Sequence, residues 1–245
     1  AKEIRTTWGA MPYKDRVAKQ DARIVTLLRE AGAVLVAKTT LGALAHGDIW
    51  FGGITRNPWN IAEGASGSSA GSASATAAGL VGFSIGTETL GSITSPCQRC
   101  GTTGLRPTFG RVSRSGAMAL CWSLDKIGPI CRTVEDTVLV LSAINGFDSD
   151  DKGSIDASFN YDASSSIEGL RVGYIPASFE DEGSTDVDRD ALDAMRQLNV
   201  ELVEVSLPEL PYMSLKNVVN AEAAAAFEEL TLNNRDDELV WQAKG

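Results

Sequence analysis

The chain has 245 residues, 43% of them hydrophobic and 22% charged, enough to bury a sizeable core in one domain. A formal net charge of −10, from 32 acidic against 22 basic side chains, excludes a broadly basic nucleic-acid surface, so direct nucleic-acid binding is not expected. Glycine, serine or charge interrupts every apolar run well short of the ~20 residues a membrane span needs, and no charged-then-apolar leader opens the chain; the expectation is a cytoplasmic protein.

Residues 1–13 carry no start signal and no cap, and read as the middle of something larger. Residues 20–31 follow a helical template, with Ile24, Val25, Leu27, Leu28 and Ala31 on one side and Gly32 as the stop. Residues 33–37 are all apolar and predict a buried strand, with Lys38 at its end. The single histidine, His46, would have to be the base of any Ser-His-Asp triad, and a packed or loop histidine is the commoner fate. Residues 48–60, punctuated by Gly52-Gly53 and Asn57-Pro58, read as a loop.

The stretch 63–101 is the one the rest of the chain is built around. A Ser/Gly loop at 64–69 runs into a small-residue helix at 70–80. Residues 81–85 predict a short buried strand ending at Gly86, and 87–95 a polar loop. A flexible linker would not be flanked so closely by apolar runs. A phosphate cradle would be expected to carry G-x-x-x-x-G-K-[ST] or a strand-borne G-x-G-x-x-G, and neither is present. Serine nucleophile chemistry is the reading in front. Cys97 and Cys100 form C-x-x-C, but Cys121 and Cys131 are too far apart to complete a zinc site, so buried free thiols are expected and no metal or cofactor is implied.

Further on, residues 104–116 contain Pro107, Gly110 and Gly116 and predict a loop wrapping the site. Thr133 caps a helix through the box ending at Asp136, with Val138, Leu139, Val140, Leu141 and Ile144 as a wide apolar face. Asp148, Asp150 and Asp151 read as a solvated acidic turn, since no glutamate closes a calcium loop. Strands at 170–175 and 200–205 around a helix at 186–198 predict a β-α-β unit, and 214–233 predict a last helix. The alternation argues for an α/β fold, without internal repeat or obvious second domain.

Several segments together resemble the amidase signature family. Ser66-Gly67-Ser68-Ser69-Ala70-Gly71-Ser72 stands where the family has G-G-S-S-G-G-S, residues 86–94 where it has G-T-D-T-G-G-S-I-R, and Cys100 to Ser113 where it has C-G-x-x-G-L-[KR]-P-T-x-G-R-V-S. NPWN at 57–60 and DKIGPICRTVED at 125–136 extend the likeness, which fades after about Asp150. The resemblance implies a mixed, largely buried β-sheet flanked by helices, here a partial amidase signature core spanning 1–245 and incomplete at both ends. It implies a Ser-Ser-Lys mechanism in which Ser92 is the nucleophile and Ser68, after a cis peptide from Gly67, relays its proton to a lysine. Backbone N–H groups of Thr89, Leu90, Gly91 and Ser92 would form the oxyanion site. The lysine lies in a V-K-D stretch upstream of the T-T-x-G matched by Thr6 to Gly9, which falls before Ala1; Lys2 is too late in the pattern and Lys38 matches another position. Leu90, Ser66 and Ala70 replace family glycines, Thr94 an arginine and Glu88 an aspartate.

Three functions follow from the resemblance. The leading one is an amidase acting on a small carboxamide, with this stretch alone inactive for want of the lysine. The second is a component like the A subunit of a glutamyl-tRNA amidotransferase, from a branch that works in a complex on charged tRNA, so that an oligomer is compatible with the reading. The third is a non-catalytic protein of the same fold.

Overall fold

A computed structural model describes residues 1–239, which fall into two compact units: residues 1–159 with 215–239, and residues 160–214. The first unit opens with α1 (Arg23–Glu30), ended as the sequence predicts by Gly32, whose φ of +87° lets the Ala33 N–H turn back to the Leu28 carbonyl at 2.9 Å. Residues 33–37 do not form the expected buried strand. They have no ladder partner among the described residues, and Val34 and Val36 are 81% and 69% exposed. An apolar run becomes a strand only where a neighbour accepts its backbone groups.

The predicted loop at 48–60 is two small antiparallel hairpins, β1 (Ile49–Trp50) with β2 (Gly53–Ile54) and β3 (Arg56–Asn57) with β4 (Asn60–Gly64). The serine-rich helix is α2 (Ala70–Ala77), shorter than the pattern suggested. The strand expected at 81–85 is shifted to β5 (Ser84–Glu88), and Leu80 is left exposed. The hydroxyls of α2 explain the shift: Ser72 Oγ donates to the Ile85 carbonyl at 2.8 Å, and Ser69 Oγ accepts from the Thr87 N–H at 3.0 Å. The strand therefore begins where side chains of α2 can satisfy its backbone.

The polar loop predicted at 87–95 is cut from both sides, by β5 and by α3 (Thr94–Cys100). β6 (Thr103–Gly104) and β7 (Lys126–Cys131) complete a three-stranded antiparallel sheet in the order β5-β7-β6, with Gly86 opposite Gly128 and Glu88 opposite Lys126. β7 is the hub. Ile130 packs with Ala70, Ala73, Ile93 and Cys97 from α2 and α3. Ile127 and Cys131 pack with Val140, Leu141 and Ile144 of α4 (Val134–Ile144) and with Ile24 and Leu28 of α1. Alternate side chains of one strand thus serve two cores, each buried apolar side chain contributing on the order of 2 kcal/mol.

α4 is capped as predicted, Thr133 Oγ1 accepting from the Asp136 N–H at 3.1 Å, but its apolar face is narrower, with Leu139 69% exposed. In the second unit, β8 (Arg171–Tyr174) and β9 (Glu201–Glu204) pair in parallel around α5 (Asp186–Gln197), whose start is a capping box between Thr185 and Asp188. That is the predicted β-α-β unit. The helix expected at 214–233 is broken at Phe227 (φ −119°, ψ 17°) into α6 (Leu215–Ala226) and α7 (Glu228–Leu232). The fold is mixed α/β with small sheets, and no helix among the described residues is long and apolar enough to cross a membrane.

Candidate active site

Ser68 and Ser92 stand on two loops that are tied together directly. The Ser69 N–H donates to the carbonyl of Ser92 at 3.1 Å, and Ser66 Oγ lies 2.7 Å from Ser95 Oγ. The peptide joining Gly67 to Ser68 is cis. Ser68 is fully buried, and its Oγ has no hydrogen-bond partner among the described residues, whereas Ser69 beside it bonds the Thr87 backbone. Ser92 is 9% exposed. An orphaned buried hydroxyl is rare enough in folded proteins to call for an account.

The loop bearing Ser68 is held by close backbone approach. The Gly42 N–H donates to the Ser68 carbonyl at 3.0 Å, Asp48 Oδ2 accepts from the Ser66 N–H at 3.0 Å, and a Cβ on Gly67 would lie 1.9 Å from the Gly47 carbonyl oxygen. Ser66 takes φ +58°, the left-handed geometry that glycine adopts at little cost.

The segment before Ser92 is organised by Glu88. Its Oε2 accepts from the N–H groups of Ile93 and Thr94 at 2.8 and 2.9 Å and from Thr94 Oγ1 at 3.2 Å, while Arg106 stands 3.7 Å from Oε1. Burial pushes this carboxyl up, but the N–H groups of Thr94, Ile93 and Gly91 and the Thr94 hydroxyl more than offset it, holding the group below its ordinary range. Thr94, where the family pattern has arginine, is therefore one of the carboxylate's donors. Leu90 takes the place of a family glycine without a positive φ: that conformation, at +93°, falls on Gly91, and the Leu90 side chain is 68% exposed.

Thr89 is clamped from β7 and the loop preceding it. Its hydroxyl donates to Asp125 Oδ1, and its carbonyl accepts from Lys126 Nζ at 3.1 Å. The other oxygen of Asp125 accepts from the N–H groups of Leu120 and Cys121, at 2.8 and 3.0 Å. In the sequence Asp125 and Lys126 stand out only as the start of a longer motif. What gives them a place at the site is the antiparallel pairing that sets Lys126 opposite Glu88.

Two cavities open near these loops. The larger, about 1240 Å³, is lined by residues 33–41 and 80–87 with Ser69 and Ser72, but by neither Ser68 nor Ser92. Lys38 lies along it, open to solvent on one side; enclosure by the cavity walls and the charge of Arg16 lower its pKa. The smaller, about 390 Å³, is lined by Thr87, Thr89, Met118, Leu120, Trp122, Asp125 and Lys126 among others, and adjoins the segment leading to Ser92. Like the larger cavity, it is lined by neither Ser68 nor Ser92.

The remaining candidates lie elsewhere. His46 is exposed at the end of a 3₁₀ turn. All four cysteines are free and buried, and burial pushes Cys100 and Cys121 up to about 11 and Cys131 up to about 12, which makes them unreactive thiols. The predicted acidic turn is solvated only in part: Asp150 is exposed, but Asp151 is 7% exposed and paired with Arg114 at 2.7 Å, and Asp148 accepts from Ser113 Oγ at 2.5 Å.

The chain is 42% identical over 233 residues to the A subunit of the glutamyl-tRNA(Gln) amidotransferase of Geobacter sulfurreducens, and 42% identical over 219 residues to that of Roseiflexus. These alignments cover 91% and 85% of the chain but 48% and 45% of the relatives, so the chain spans about half the length of the curated proteins it matches. Among solved structures, the A subunit of the Thermotoga maritima glutamyl-tRNA(Gln) amidotransferase superposes with a TM-score of 0.87 at 29% identity, over 100% of this chain and 57% of that one. The peptide amidase of Stenotrophomonas maltophilia gives 0.79 at 31% identity, over 94% and 51%. The sequence model of the Amidase family matches residues 1–243, and the chain belongs to that family.

Proposed function

We propose that the protein cleaves a carboxamide through an acyl-enzyme on Ser92, with Ser68 relaying the proton. The observation that carries this reading is the buried Oγ of Ser68, without a hydrogen-bond partner among the described residues, on a loop whose next N–H holds the carbonyl of Ser92. A serine hydroxyl is too weak an acid to attack an amide unaided, so a neighbouring group must take its proton as the C–O bond forms. Ser68 takes that proton and passes its own to a lysine, which in the family pattern lies upstream of Thr6. The carbonyl oxygen, as it gains charge, is met by backbone N–H groups of Thr89, Leu90 and Ser92, since that of Gly91 is directed at the Glu88 carboxylate, each well-placed donor contributing on the order of 3 kcal/mol. Protonation of the leaving nitrogen then frees ammonia or an amine, and water releases the acid.

A second reading has an observation of its own. The Geobacter and Roseiflexus relatives are amidotransferase subunits, which favours a protein that hands the released ammonia to a partner's substrate. The covalent step on Ser92 is common to both. Treating the full-length gene product with a fluorophosphonate and locating the adduct by peptide mass spectrometry tests it: the expected adduct is on Ser92, and modification of another residue, or of none in an active preparation, removes the assignment. Co-purification with other subunits of a complex separates the two readings.

A further inference from the structure

We propose that Lys126 is a positioning residue for the oxyanion site: by holding the Thr89 carbonyl it fixes the peptide between Thr89 and Leu90, so that the Leu90 N–H is presented to the oxygen that gains charge. The proposal rests on the acyl-enzyme reading above and adds a residue to it. The observation behind it is where the Lys126 ammonium goes. Lys126 lies opposite Glu88 in the β5-β7 ladder, and Asp125 is its neighbour in the chain. Yet among the described residues Lys126 has no ion-pair partner, and Nζ donates instead to the neutral carbonyl of Thr89 at 3.1 Å.

Both acids are turned elsewhere. Glu88 gathers the N–H groups of Ile93 and Thr94 on one oxygen and faces Arg106 with the other. Asp125 takes the Thr89 hydroxyl on one oxygen and the N–H groups of Leu120 and Cys121 on the other. Asp125 and Lys126 thus grip one residue twice, Asp125 by its side chain and Lys126 by its main chain.

A restraint on the Thr89 carbonyl is also a restraint on the Leu90 N–H, because the two belong to one planar unit. That peptide is trans, so its C=O and N–H point in opposite directions and turn together. The N–H groups of the segment are divided. Those of Gly91, Ile93 and Thr94 are directed at Glu88, whereas nothing among the described residues accepts from the Leu90 N–H. Without the ammonium this peptide is free to turn over, which would aim the Thr89 oxygen where a donor belongs and meet the developing charge with repulsion. The positive charge also polarises the peptide it holds and strengthens the N–H at its other end.

The test uses a fluorophosphonate, whose P=O oxygen gains charge as Ser92 attacks, so that the oxyanion site is read without the natural substrate. The limiting inactivation rate, kinact, and the half-saturating concentration, KI, are measured on the full-length gene product, unaltered and as Lys126→Met and Lys126→Arg. Lys126→Met should lower kinact by about 10- to 100-fold, up to the loss expected for one oxyanion donor, with KI within about twofold. Lys126→Arg, which keeps a charged donor, should restore most of the rate. An unchanged kinact in Lys126→Met, a loss that falls on KI instead, or the same loss in both variants overturns the proposal. Should the methionine variant fail to fold, Lys126→Gln, one bond shorter and uncharged, carries the same expectation. Absence of any Ser92 adduct would remove the acyl-enzyme reading and the proposal with it, whereas a Ser92 adduct formed at the unaltered rate in Lys126→Met would remove the proposal alone.

Discussion

Single residues decide the site because its loops are packed backbone against backbone. A Cβ at Gly67 would sit 1.9 Å from the Gly47 carbonyl oxygen and 2.5 Å from the carbon. Those are main-chain atoms that no side-chain rotation can move. Gly67→Ala should therefore cost about 2–3 kcal/mol in urea unfolding, whereas Gly82→Ala, where nothing lies within 4 Å of the added carbon, should be near neutral. Equal effects of the two would show that the loop relaxes and that close approach does not define it. The motif glycines and serines are legible in the sequence as types in a fixed order. Which residue takes the positive φ is not, because Leu90 and Gly91 are neighbours and either could absorb the turn; in the fold it is Gly91. Nor does the replacement of aspartate by Glu88 show that one carboxylate oxygen gathers Ile93, Thr94 and the Thr94 hydroxyl.

At the scale of elements, legibility follows length and local signals. α4 and α5 carry caps written within three residues, and the parallel β8/β9 pair flanks a helix of ordinary length. The two-residue strands exist only through their partners, and α3 is hidden by Pro96, which is tolerated in the first turn of a helix but reads as a breaker. The turn at 148–154 departs in part from the solvated expectation because charge alone does not reveal a partner thirty-seven residues away. Hydrogen bonds from the Arg114 side chain hold the Asp151 carboxyl down to about 2, against the opposing effect of burial. A folded-state pKa below the ordinary value of about 3.9 means that the pair stabilises fully above that pH and loses its contribution as pH falls toward 2, a difference of roughly 2 kcal/mol. Unfolding midpoints of the native protein and Asp151→Asn, compared from pH 5 to pH 2, should therefore converge as pH falls. Parallel curves would mean that the ion pair adds nothing specific to the fold.

At the scale of the molecule, the open cavity and the partnerless Ser68 point the same way. Residues 33–37, predicted as a buried strand, are instead apolar, without a ladder partner among the described residues, and from Val34 on exposed along the 1240 Å³ cavity, whose other wall is residues 80–87 at the edge of the β5-β7-β6 sheet. Lys38 lines that cavity with Ser69 and Ser72, whereas the fully buried Ser68 does not line it. Among the described residues, nothing hydrogen-bonds Ser68 Oγ. We therefore expect the 245-residue chain, taken alone, to be silent toward simple carboxamides. A chain extended upstream by the family's V-K-D segment and downstream by the remainder of its relatives' length should hydrolyse them, since general-base catalysis by itself is typically worth about 10²- to 10⁴-fold. Ammonia release measured side by side on the two proteins decides the point. Comparable rates would make Lys38, or another group already present, the base, and the proton would have to leave Ser92 by a route that avoids Ser68.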